Sequence, residues 1–169
     1  DIVGIHDPGV FRIGDTITSG ENLTYTGIPV FAPEKFFRVD LEDPLKSKAL
    51  HKGLDQLSEE GAVQVFRTSD GLQQYLGVVG VLQIDVVTYR LLAEYKVPAK
   101  MSPLGISAAR WIACEDEKKL SSFLQAYSDK ICFDQYGNPT LLLDHEWRLK
   151  FYEERNPEVT FLSTAQGKL

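Results

Sequence analysis

The residues best suited to contact chemistry form a short basic cluster in an acidic chain. Lys46, Lys48, His51 and Lys52 fall within two helical turns, whereas the whole chain has a formal net charge of −6. On a helix, Lys48 and Lys52 share one face with His51 beside them, because residues three and four positions apart are neighbours. Such a face suits contact with phosphate groups or with an acidic protein surface. A solvated helix face would explain the same residues, so both interpretations stay open.

Recognisable arrangements for catalysis, cofactor binding or metal binding do not occur in the sequence. His6, His51 and His145 are far apart, and none belongs to a spacing that places two metal ligands on one face. The glycines of residues 77–80 do not match a phosphate loop, which needs GxxxxGK followed by serine or threonine. We interpret these glycines as a point of close backbone packing. We therefore expect no catalytic, cofactor or metal site in this chain.

Composition indicates a folded chain that binds neither membranes nor DNA. At 169 residues and 43% hydrophobic content it can bury a core of one full domain or two small ones. No apolar run approaches the length of a membrane span, and the acidic charge argues against broad nucleic-acid affinity. Cys114 and Cys132 match no metal spacing, which predicts buried thiols. Asp1 stands where an initiator methionine would, which predicts excision from a longer protein.

The elements that would position the basic cluster begin after a change in pattern near residue 30. Residues 1–30 contain short strand-like runs separated by turn residues, which predicts the C-terminal strands of a β-barrel domain. The segment 27–33 contains two prolines and a glycine, so we interpret it as a linker. We therefore place an α+β domain at residues 31–169.

This α+β domain repeats one order of elements, βαββαβ, in the subunits 36–102 and 107–165. The first repeat predicts strands at 36–42, 62–67, 75–79 and 99–102 and helices at 44–59 and 81–95. The second predicts strands at 108–114, 131–134, 140–143 and 159–163 and helices at 117–130 and 145–155. Each repeat has the ferredoxin-like order, so helices should cover one face of an antiparallel sheet. The pattern does not say whether the repeats share one sheet.

Side-chain patterns within the predicted helices indicate which residues face the core. Leu50, Leu54 and Leu57 form a stripe with the spacing of a buried helix face, and Asp43 is placed to cap that helix. In the last predicted helix, Trp147 and Phe151 are expected on the buried face.

Several long strings of the chain resemble one family of translation factors. Gly14-Asp15-Thr16-Ile17 resembles the barrel-domain signature of translational GTPases. Thr26 to Pro29 with Phe31 to Glu34, Leu57 to Phe66, Gly77 to Val87, Ala109 to Trp111, and Glu154-Arg155 before Asn156-Pro157 are similar to the bacterial peptide chain release factor 3 family. The segment 36–97 is also similar, more loosely, to the third domain of elongation factor G.

The resemblance implies a ribosome-dependent, cytoplasmic GTPase that accelerates dissociation of class I release factors after a stop codon. It implies that GTP, GDP and Mg²⁺ bind an N-terminal domain outside this sequence, so the chain itself would be no enzyme. Its partners would be ribosomal RNA and small-subunit ribosomal proteins and, indirectly, class I release factors.

Two other interpretations remain open at this point. The chain could belong to another elongation-factor-G-like ribosomal GTPase, such as a ribosomal protection protein, which residues upstream would distinguish. It could also be a freestanding ferredoxin-like enzyme or small-ligand sensor, which a polar pocket between the two repeats would favour.

Overall fold

A computed structural model describes residues 4–6, 8, 10–11, 15–21, 23 and 30–165. Among the described residues before Val30, none belongs to a helix or strand. The rest of the predicted barrel strands in residues 1–30, and much of the linker 27–33, lie outside the described residues. The barrel assignment and the domain boundary at residue 31 therefore stay predictions.

Residues 30–165 form ten strands and four α-helices, and the order is the predicted one except for two short strands, one of them within the predicted linker. The strands are β1 (Val30–Phe31), β2 (Lys35–Leu41), β3 (Gln64–Thr68), β4 (Gln74–Val78), β5 (Ala99–Leu104), β6 (Ala108–Ala113), β7 (Ile131–Asp134), β8 (Pro139–Leu143), β9 (Thr160–Leu162) and β10 (Thr164–Ala165). The helices are α1 (Ser47–Glu59), α2 (Leu82–Tyr95), α3 (Glu117–Ala126) and α4 (Leu149–Arg155).

Local signals define the ends of α1 as expected. The Asp43 carboxylate accepts a hydrogen bond from the Leu45 backbone N–H at 3.0 Å, which caps a 3-10 turn over Pro44–Lys46 that leads into α1. Past the C-terminal end, Gly61 takes a positive φ of 71°, a conformation that glycine adopts without a steric penalty. The predicted Asp43 cap is therefore confirmed, and Gly61 ends the helix.

Eight of the strands form one continuous antiparallel sheet in the order β5-β2-β4-β3-β7-β8-β6-β9. The two repeats meet where β3 pairs with β7, with Phe66 opposite Asp134 and Thr68 opposite Cys132. The remaining strands, β1 and β10, pair with each other and bring residues 30–31 beside residues 164–165. The question of one sheet or two, which the sequence leaves open, is thus answered as one.

All four helices pack on the same face of this sheet. The first repeat buries Leu54, Leu57 and Leu91 against Val65 and Leu76. The second repeat forms an equivalent core beneath α3 and α4, built around Phe123, Tyr152, Ile131 and Leu141. The β3–β7 register puts Arg67 opposite Phe133, and side chains alternate along a strand, so Val65 and Ile131 face the same side. This confirms the predicted α+β arrangement of helices on one face.

The opposite face carries an aromatic cluster that spans the two repeats. Phe66 of β3 is fully buried, with its ring centroid 5.9 Å from that of Phe36 in β2 and 6.3 Å from that of Trp111 in β6. β3 and β6 are three strands apart in the sheet, so this contact joins the two repeats across β7 and β8. Gly77 leaves the necessary space, because a Cβ there would lie 2.8 Å from Phe66 Cε2 and 2.4 Å from Pro33 Cγ.

A buried carboxylate organises the turn between β7 and β8. Asp134 is 5% exposed and accepts hydrogen bonds from the Trp111 indole N–H at 2.9 Å and the Asn138 side-chain amide at 3.0 Å. Its other oxygen accepts from the backbone N–H groups of Tyr136 at 2.9 Å and Asn138 at 2.8 Å. All four donors would lose their partner without this carboxylate.

Two expectations for the last helices are wrong. Trp147 is 71% exposed and Phe151 is 43% exposed, whereas Tyr152 is the α4 residue that enters the core. The chain makes a 3-10 turn over Glu146–Arg148 before α4, and this rotates the pattern relative to one continuous helix. The second wrong expectation is the helix at 117–130, because α3 ends at Ala126.

Candidate functional site

The basic cluster lies at the start of α1, on the side away from the sheet. Leu50, Leu54 and Leu57 attach this helix to the core. Gly53 permits a close crossing with α2, since a Cβ at Gly53 would lie 2.9 Å from Leu91 Cδ2. The helix is therefore held firmly, and its outer face has a fixed direction.

Three of the four predicted contact residues are exposed together on this outer face. Lys48, His51 and Lys52 are exposed, while Lys46 is partly buried in the 3-10 turn. Leu45, beside them, is 92% exposed. Within the part of the chain that the structure describes, Lys46, Lys48 and Lys52 form no ion pair with a carboxylate. Their charges are therefore available to a partner.

Lys48 occupies a position in the first turn of α1 that is electrostatically unfavourable. The N-terminal end of a helix carries a partial positive charge, which favours acidic side chains by about 0.3–1 kcal/mol each and disfavours basic ones. The first turn of α1 contains Lys48 and no acidic residue. By contrast, Glu117 occupies the first turn of α3, and Asp116 accepts hydrogen bonds from the backbone N–H groups of Lys118 and Lys119. The first turn of α1 thus differs from that of α3 in carrying a basic side chain in place of an acidic one.

One carboxylate on α1 that could pair with the basic residues is instead held by a residue of the sheet. Asp55 follows Lys52 by three residues and His51 by four, which are distances at which helix side chains form pairs. Instead, Asp55 Oδ1 accepts a hydrogen bond from Arg67 Nη2 of β3. The Arg67 contact thus leaves Lys52 unpaired.

The arginines that do not cluster in the sequence have intramolecular partners. Arg38 pairs with Asp40 at 2.7 Å, and Arg110 pairs with Glu146. Asp40 also accepts a hydrogen bond from Ser102, and the Arg38 contact holds the pKa of this carboxyl below its usual value. These arginines stabilise the domain locally, so the lysines of α1 are the better candidates for an external contact.

A cavity of about 260 Å³ lies at the junction of the two repeats, on the face opposite the helices. Its wall combines apolar side chains, such as Leu104, Ile106 and Leu142, with Lys130 and Asp144 at the edge. Cys132 also lines it, and burial raises the pKa of this thiol to about 12. The thiol is therefore protonated at neutral pH and is a poor nucleophile.

Neither a metal cluster nor a membrane-spanning helix occurs in the part of the chain that the structure describes. No group of three or more histidine, cysteine, aspartate or glutamate side chains that could hold a metal ion is found among the described residues. No helix within those residues is long and apolar enough to cross a membrane.

Two features of the described residues are not predicted from the sequence. Asp134 is the last residue of a predicted strand, and nothing in its sequence neighbourhood marks it as a buried hydrogen-bond acceptor. The second is a stripe on α2, where Leu82, Val86 and Tyr89 repeat with helical spacing but are exposed. The spacing is visible in the sequence, but it does not say which of two apolar faces is buried.

The fold is a two-layer α+β domain in which one antiparallel sheet carries four helices on the same face. The family model for class II release factor RF3, C-terminal domain, matches residues 25–153, which is more than half of the chain. The chain therefore belongs to the RF3 C-terminal domain family. This domain is part of a release-factor-3-like translational GTPase, and it implies association with the ribosome.

Proposed function

We propose that this chain is the ribosome-binding C-terminal part of a class II release factor. The parent factor would use GTP to promote dissociation of class I release factors from the ribosome in the cytoplasm. The observation that carries the proposal is the unpaired basic face of α1 in a domain of this family. Its partner would be phosphate-rich ribosomal RNA, with small-subunit proteins nearby.

In this proposal, nucleotide binding and ribosome contact belong to different domains of the parent factor. GTP, GDP and Mg²⁺ would bind an N-terminal domain outside this sequence, and this chain would supply contact and no catalysis. The strand orders β5-β2-β4-β3 and β7-β8-β6-β9 support two ferredoxin-like units joined at one edge. Residues 1–30 would be the last strands of the preceding barrel.

Reversing two charges on α1 tests this function. In the double variant Lys48→Glu/Lys52→Glu, we expect binding of the chain to salt-washed 70S ribosomes to weaken by about 100-fold. Each reversal replaces an attraction to phosphate by a repulsion, and tenfold corresponds to about 1.4 kcal/mol. The slope of log affinity against log salt concentration should fall by about two, one for each lysine. Ribosome pelleting over a salt series measures both quantities.

The matched control is Lys100→Glu/Lys118→Glu, which makes the same charge change at two exposed lysines outside α1. Lys118 lies in the first turn of α3, so it also controls for the effect of a negative charge on a helix N-terminus. Equal losses in the two double variants would mean that net charge, rather than the α1 face, governs binding. In the full-length factor, the α1 variant should also slow recycling of class I release factors.

The Arg67 contact gives a second, smaller prediction for the same site. Replacing Arg67 with glutamine should weaken ribosome binding by about twofold at most, because the released Asp55 can then pair with Lys52, a contact of about 0.2–0.5 kcal/mol. The change should cost little stability, since exposed ion pairs contribute about 0–1 kcal/mol.

A double-mutant cycle separates this positioning role from a simple change in charge. Asp55→Asn should restore binding in the Arg67→Gln background and have almost no effect when Arg67 is present. If Asp55→Asn has the same effect in both backgrounds, Arg67 contributes only its charge. Arg67→Lys, which keeps the charge, should bind nearly as well as the unmodified chain.

A further inference from the structure

The outer face of α2 is apolar, unlike the outer face of α1. Leu82, Val86, Tyr89 and Leu92 are between 54% and 75% exposed. The opposite side of the same helix buries Ile84, Val87 and Leu91 in the core. A helix with apolar residues on both sides is usually covered on both sides.

The loop before α2 extends this apolar surface and is held in place. Val79 and Val81 are 59% and 57% exposed. The Gln83 side-chain oxygen accepts hydrogen bonds from the backbone N–H groups of Val79 at 2.9 Å and Gly80 at 3.0 Å. The surface, which we call the α2 stripe (Val79, Val81, Leu82, Val86, Tyr89 and Leu92), is therefore preformed, and its ordering cost on binding is low.

The charges around the α2 stripe indicate what kind of partner it fits. Asp85 lies three residues after Leu82 and four before Tyr89, and it has no hydrogen-bond or ion-pair partner among the described residues. Arg90 is occupied by two carboxylates, at 2.7 Å from Glu94 and 2.5 Å from Glu60. At the end of the helix, the Lys96 amino group donates to the Ala93 carbonyl oxygen at 2.7 Å.

Within the described residues, the stripe thus offers apolar side chains and a free carboxylate, but no free cation. RNA is disfavoured, because its phosphates would meet Asp85 without a compensating positive charge. A second copy of this chain is disfavoured as well, since a symmetric contact would bring the two stripes and their acidic groups together.

We propose that the α2 stripe docks an apolar segment of a protein partner that carries a lysine or arginine opposite Asp85. Resting on the proposed function, this partner is a protein component of the ribosome, while the α1 lysines contact its RNA. Exposed apolar surfaces of this kind mark interaction sites, and aromatic side chains that become buried on binding, as Tyr89 would here, supply much of the affinity of protein interfaces.

The first experiment measures affinity for salt-washed 70S ribosomes. The double variant Leu82→Ser/Tyr89→Ser should bind about tenfold more weakly, as should Asp85→Lys, whereas Leu72→Ser should bind normally. Leu72 is 80% exposed on the β3–β4 hairpin, so it matches the change outside the stripe. Far-UV circular dichroism and urea unfolding should be unchanged in all these variants, because the substituted residues are exposed.

The second experiment identifies what covers the stripe. A photo-crosslinking phenylalanine analogue at position 86, irradiated with the same ribosomes, should yield a product that is degraded by protease and resistant to ribonuclease. A crosslink to RNA, a crosslink to a second copy of the chain, or no crosslink would overturn the proposal.

The same assay separates this proposal from the proposed function. If Lys48→Glu/Lys52→Glu weakens binding and the stripe variants do not, the α2 stripe is no docking surface while the α1 site stands. If only the stripe variants weaken binding, the α1 site is wrong. A chain that does not bind ribosomes at all overturns both.

Discussion

Replacing Asp134 with alanine should lower the free energy of unfolding by about 3–5 kcal/mol, as expected when one partner of a buried charged network is removed. The carboxylate is 5% exposed and accepts four hydrogen bonds, from Trp111, Tyr136 and twice from Asn138. Each unsatisfied buried donor costs about 1–3 kcal/mol. The loss should loosen the β7–β8 turn and the packing of Trp111 at the same time.

Urea unfolding followed by tryptophan fluorescence and circular dichroism measures this effect. The chain has two tryptophans, Trp111 and Trp147, so a Trp147→Phe background makes the signal specific for the buried indole. Asp129→Ala is the control, because its side chain is 75% exposed and should change stability by less than about 0.5 kcal/mol. A destabilisation below about 1 kcal/mol for Asp134→Ala would falsify the structural role of this carboxylate.

Truncating Phe66 to alanine should destabilise the domain by about 3–5 kcal/mol, the usual range for a fully buried phenylalanine. Phe66 is 0% exposed and contacts the aromatic rings of both repeats, Phe36 in the first and Trp111 in the second. Because the sheet is continuous through β3 and β7, the two repeats should unfold in a single transition. The mutation in the first repeat should therefore shift the unfolding midpoint reported by Trp111 in the second.

The control for this prediction is Phe151→Ala, which truncates a phenylalanine that is 43% exposed on α4. Its effect should be much smaller, since Phe151 buries less apolar surface than Phe66 does. Two separate transitions, with Trp111 fluorescence unaffected by Phe66→Ala, would show that the repeats are energetically independent despite their shared sheet.

The sequence alone determined the order of elements after residue 30 and the location of the basic cluster. Both depend on local spacing: Leu50, Leu54 and Leu57 define a helix face, and Lys48 and Lys52 lie four residues apart on the opposite side. Capping by Asp43 and the stop at Gly61 are also local, because they involve backbone groups within one or two residues. The strings shared with the release factor 3 family likewise indicated the family to which the chain belongs.

Only the tertiary structure decided how these elements join and which surfaces remain open. The β3–β7 pairing uses backbone hydrogen bonds that any two strand edges can form, so no local pattern predicts one sheet rather than two. A helical stripe also gives no sign of whether it faces the core or the solvent. The spacing of Trp147 predicts a buried side chain, for example, but this side chain is 71% exposed. The Asp55–Arg67 and Asp134–Trp111 contacts join residues 12 and 23 positions apart, and only the folded sheet brings these side chains together.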